Sequence, residues 1–88
     1  MRPVNPKKSK TFSFLLGLIY GYRTADMDLK VFPLEEFKPE KHAGSDIYFL
    51  DKRRDIISKS EPIDSPTHIV VLKEDFEAKK VQLYIYKS

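Results

Sequence analysis

Asp26 and Asp28, separated by Met27, would project from the same face of an extended segment, and Asp28-Leu29-Lys30 has the acid-x-lysine spacing of a metal-dependent nuclease half-site. That chemistry requires an earlier acid as a third ligand, and no Asp or Glu precedes Asp26. The pair reads more simply as turn acids. His42, beside Glu40 and Lys41, and His68, four residues after Asp64, would serve as acid–base groups if a carboxylate oriented them. The serines show no Gly-x-Ser-x-Gly context, and no glycine-rich phosphate loop occurs. The chain has no cysteine, which removes thiol nucleophiles, thiolate zinc sites and disulfides together. A ribonuclease site built from Tyr, His, Lys and Arg has no linear signature. With that reservation, a non-catalytic protein without metal or cofactor is expected.

The second kind of chemistry is charge. Sixteen lysines and arginines face thirteen acids over 88 residues, a formal net charge of +3. Five of the sixteen, Arg2, Lys7, Lys8, Lys10 and Arg23, precede the first acid, so the body behind them is slightly acidic. A concentrated basic segment beside a folded body steers it toward phosphates or an acidic protein surface. Such cations give salt-dependent, sequence-independent affinity for nucleic acid. Arg53 and Arg54 form a second cationic point at a hairpin tip, but Asp51 and Asp55 flank them and weaken its field. Tyr84 and Tyr86, with Lys87, have the composition of a sheet on which bases stack. The glycine–aromatic run at 17–22 lacks the basic residue and phenylalanine pattern of RNA-binding sheet strands, and an exposed aromatic face serves a protein interface equally well.

These groups must be positioned by a small domain. Hydrophobic residues make up 41% and charged residues 33%, which fits one soluble fold with a thin core that buries about 60–65% of its unfolded surface. Residues 1–10, with prolines at 3 and 6, form an extended basic arm, and residues 11–88 a single domain. The apolar run 11–22 behind its lysines is laid out like a signal peptide. It is too short to span a bilayer and is followed by Tyr-Arg-Thr rather than a small-residue cleavage site, so a buried segment and an intracellular protein are expected.

Gly17 and Gly21 interrupt residues 11–23, and helix-interior glycines are unfavourable, so this run reads as a long bent strand that forms a hairpin with 27–32 through Ala25-Asp26. Residues 34–44 read as a surface connection with at most one helical turn and with Leu34 and Phe37 turned inward. A second hairpin joins 46–50 to 55–58 through a charged loop. A third joins 67–73 to 80–87. In the last strand Val81, Leu83 and Ile85 share one face and Gln82, Tyr84 and Tyr86 the other, the latter partly exposed. The strand at 67–73 is apolar on both faces and therefore central.

The expected fold is mainly β: a small antiparallel meander, either a partly open barrel or a two-layer sandwich, with α+β as the alternative. The expected function is that of an accessory or adaptor module docking through its basic arm onto nucleic acid, a ribonucleoprotein or a large complex. The alternative is a protein-only interaction module, such as a viral or bacterial inhibitor or an oligomer subunit, using an edge strand or the tyrosine face.

Overall fold

A computed structural model describes residues 10–22 and 26–88. Five strands form one open, mixed sheet: β1 (Asp26–Pro33), β2 (Asp46–Asp51), β3 (Ile56–Lys59), β4 (His68–Asp75) and β5 (Lys80–Lys87), in the order β1-β5-β4-β2-β3. The chain is mainly β, as its alternation implies. Both later hairpins form where expected, and β2 also pairs antiparallel with β4. Their loops, residues 52–55 and 76–79, each end on a left-handed residue, Asp55 and Lys79, both at φ 56°. Such a residue lets a four-residue loop re-enter its strand.

Residues 11–22 do not form a strand. Lys10–Gly21 is an α-helix, α1, and the expected first hairpin does not exist. Residues 11, 14, 15, 18 and 22 recur at helical spacing. Thr11 is buried, while Phe14, Leu15, Leu18, Ile19 and Tyr22 pack on Leu50, Val70, Leu72, Val81 and Leu83. Each interior glycine costs a helix about 1 kcal/mol. Burying one large apolar side chain contributes about 1.5–3 kcal/mol, so these five residues outweigh interior Gly17 and terminal Gly21 even when half-buried. Neither Gly17 nor Gly21 has any atom within 4 Å of where a Cβ would stand, so packing does not require them. The carboxylate of Asp55 accepts the Thr11 N–H at 3.1 Å, placing negative charge at the helix start.

Freed from that hairpin, β1 joins the sheet edge parallel to β5, in the register Leu29↔Leu83 and Val31↔Ile85. The fold therefore departs from a pure antiparallel meander both at this edge and where β4 pairs with β2 instead of β3, and the sheet stays open. The other face of the sheet is covered by two single 3-10 turns, Leu34–Glu36 and Pro39–His42, from the expected surface connection. Leu34 and Phe37 do turn inward, onto Phe49, Ile69, Val71 and Tyr86. β4 is central, with Ile69, Val70, Val71 and Leu72 all buried.

Candidate functional site

Four of the cations expected to bind a partner, Arg2, Lys7, Lys8 and Arg23, lie outside the described residues. Lys10 opens α1 and is exposed. Arg53 and Arg54 are committed elsewhere. Asp51, at the end of β2, is fully buried, and its Oδ1 accepts the Arg53 N–H at 2.9 Å and Arg53 Nε at 3.2 Å. Its Oδ2 accepts Arg54 Nε, while the outer nitrogens of the two guanidiniums donate to the carbonyls of Ser65 and Asp64. Burial alone would raise the Asp51 carboxyl. The hydrogen bonds from Arg54 and Arg53 outweigh it and hold the group down to about 2. The cationic hairpin tip is thus a brace joining the β2–β3 loop to residues 64–65, and flanking acid does more than dilute its charge. No sequence motif marks this, because the burial of Asp51 is a tertiary fact.

Tyr84 and Tyr86 lie side by side on the face away from α1, but this face is not an open stacking platform. Tyr86 is only 5% exposed, stacked on Phe32 at 5.2 Å and met edge-on by Phe37 at 5.2 Å. Its hydroxyl lies 2.6 Å from Nε2 of the buried His42, a contact satisfied by a neutral imidazole accepting the Oη–H. Tyr84 is half-buried, its ring 5.3 Å from that of His42. The expectation of partly exposed tyrosines fails for Tyr86 because the 3-10 turns fold back over it. Burial, helped by Lys41, lowers the pKa of His42, and burial raises that of Tyr86.

The catalytic candidates are dispersed. Asp28 meets Lys30 at 3.7 Å with both side chains half-exposed, and among the described residues no cluster of three His, Cys, Asp or Glu side chains is arranged to hold a metal. His42 faces a tyrosine, and Nδ1 of His68 faces the Thr67 hydroxyl at 2.9 Å. An open cleft of about 540 Å³ lies where the end of α1 meets the β4–β5 loop. Its acids shape the local structure: Glu74 accepts the Tyr22 hydroxyl at 2.6 Å, which raises the Tyr22 pKa to about 12, and Asp75 accepts the Ala78 N–H.

What the structure does bring together is apolar surface. Among the described residues seven large hydrophobic side chains are left exposed, and five of them belong to α1 and β1: Phe12, Leu16 and Tyr20 on the helix, and Leu29 and Val31 on the strand. Residues 12, 16 and 20 follow one helical row, and their spacing of four was the signal in the sequence. Leu29 and Val31 stand on the helix side of the sheet, as their partners Leu83 and Ile85 do, but at the edge. No family model matches this chain, and neither curated proteins nor solved structures give a match. Among the described residues, no helix is long and apolar enough to cross a membrane.

Proposed function

We propose that this chain is a non-catalytic adaptor that docks onto a larger protein assembly through the outer row of α1 and the basic segment leading into it. The observation that supports this is the concentration of exposed apolar side chains at the front of the molecule. Leu16 is 36% and Tyr20 64% exposed, directly behind Arg2, Lys7, Lys8 and Lys10. A monomer that leaves such a row uncovered presents a groove-filling helix face, and its cations match an acidic rim. The reading places the adaptor inside the cell. A second reading, docking on nucleic acid or a ribonucleoprotein, rests on the absence of any acid before Asp26. It relies on the arm, since Arg53 and Arg54 brace the fold and Tyr86 is buried.

Affinity capture from host extract with and without nuclease tests the proposal. Partners retained after nuclease at raised salt, and lost from Leu16→Ser/Tyr20→Ser, are expected. Capture that disappears with nuclease, or that follows Lys7→Gln/Lys8→Gln/Lys10→Gln and falls steeply with salt, overturns it in favour of phosphate contacts. Binding to anionic vesicles that Leu16→Ser/Tyr20→Ser abolishes overturns it in favour of a lipid surface.

A further inference from the structure

The two edges of the sheet are unequal. β3 is a four-residue strand, whereas β1 runs for eight residues, and among the described residues no strand pairs with its outer side. The Asp26 N–H donates inward to the Lys79 carbonyl. Since main-chain groups alternate sides along a strand, Asp28, Lys30 and Phe32 also address β5, while Met27, Leu29 and Val31 turn their N–H and C=O groups outward. Pro33 holds the next outward position, where its missing N–H ends any further ladder. β1 is therefore a short pairing template with a defined stop.

We propose that β1 pairs antiparallel with β1 of a second copy of this chain about a two-fold axis at Leu29, joining two sheets into one. Charge selects this register. With Leu29 opposite Leu29, Asp28 of each copy faces Lys30 of the other, forming two cross-strand ion pairs on the face away from α1, and Met27 faces Val31 on the helix side. Sliding the axis to residue 28 sets Asp28 against itself; sliding it to residue 30 sets Lys30 against itself. Sliding to residue 28 still sets Asp26 against Lys30, but only the central register gives both Asp28 and Lys30 a partner of opposite charge and opposes no like charges. It also gives the exposed side chains a place. Leu29, 44% exposed, and Val31, 55% exposed, would form with Met27 a continuous apolar row between the two copies' helices. The interface is isologous and closes on itself, so it yields a dimer rather than a fibre. It uses a surface other than the outer row of α1 and does not depend on what that row binds.

Sedimentation of the full chain over a range of concentrations tests this, with Asp28→Lys and Lys30→Asp as separate variants. Both side chains are half-exposed, so the fold tolerates either change. Wild type is expected to dimerise, and each variant alone to associate about tenfold more weakly or worse, because like charges then oppose each other at two positions. An equimolar mixture of the two variants should recover the dimer, since every Lys then faces an Asp. Amide exchange at Met27, Leu29 and Val31 should slow with rising concentration in wild type, a readout that needs no variant. A wild type that stays monomeric into the millimolar range, variants that dimerise like wild type, or a mixture that does not recover the dimer each overturns the proposal.

Discussion

The two faces of this sheet are covered by different means. On one, a continuous helix lays Phe14, Leu15, Leu18 and Ile19 over an aliphatic floor centred on Leu83. On the other, two short turns seal an aromatic cluster that includes His42 and Tyr86. The helix covers its floor with one side and leaves Leu16 and Tyr20 over, so surplus apolar surface accumulates there. The turns present Glu35, Glu36, Glu40 and Lys41 outward and so leave no apolar surplus, but the tyrosine and histidine they enclose must be hydrogen-bonded. One face thus stores unused hydrophobic surface, and the other stores titratable groups.

The largest effect that would break this comparison lies at the floor of the helix face. Leu83 is fully buried, and Leu83→Ala should destabilise the domain by about 2–4 kcal/mol through the cavity it leaves. Gln82→Ala, one residue along on the opposite face and partly exposed, should change little. Chemical denaturation of both variants decides. Equal midpoints would mean that the helix does not cover this floor.

On the aromatic face the corresponding change is smaller. Tyr86→Phe keeps the ring packing but removes the hydroxyl that meets His42, leaving a buried imidazole nitrogen unpartnered at a cost of about 1–3 kcal/mol. The same face should govern the response to acid. The folded pKa of His42 is lowered from 6.5 by burial and by Lys41, so the unfolded chain takes up the proton first. Stability is then full above about 6.5 and falls as the pH drops below it. His68, lowered by burial and by Lys87 and Lys52, adds to the same step. Asp51 acts in a separate window: its carboxyl sits at about 2 against an ordinary 3.8, so its contribution is full above 3.8 and is lost as the pH falls through about 2. Urea midpoints measured across pH should show both descents. His42→Gln should shrink the upper one and leave the lower one in place.

The legible parts of this fold were those where period and burial agree. Val81, Leu83 and Ile85 alternate against Gln82, Tyr84 and Tyr86, and β4 is apolar on both sides, so the central hairpin and its inner face follow from the residues alone. α1 was obscured because Phe12, Leu16 and Tyr20 add a second apolar row that blurs its helical period, while Gly17 and Gly21 argue locally against a helix. Packing on the sheet overrides both. The parallel seating of β1 depends on chain ends that meet only after folding, as does the burial of Asp51 between two arginines. For the candidate site, the residue types were visible, but their availability was not. Arg53, Arg54 and Tyr86 have the composition of a binding surface and are used to hold the domain together.

The helix itself provides a gain-of-stability test. Gly17 sits in α1 with open space where a Cβ would go, so Gly17→Ala should stabilise the domain by about 0.5–1 kcal/mol by relieving the entropic cost of helical glycine. Thermal unfolding reads this directly. A neutral or destabilising result would return residues 11–23 to the strand reading.

The smallest expected change in stability sharpens the comparison most. Leu16 and Tyr20 lie on the outer row of α1, where substitution removes little that is buried, so Leu16→Ser and Tyr20→Ser should each shift stability by less than about 0.5 kcal/mol. Serine lowers helix propensity slightly, which sets the sign of that small shift. If the row were only a by-product of a hydrophobic helix, these variants would behave like wild type in every assay except solubility, which should improve. If the row is a docking face, they should keep the fold and lose the partner, and the loss should persist at high salt, where lysine contacts are already screened. Stability and capture measured on the same preparations separate the two. Large destabilisation from either variant would show that the row is buried in the folded chain, and the distinction between a used and an unused side of α1 would fall with it.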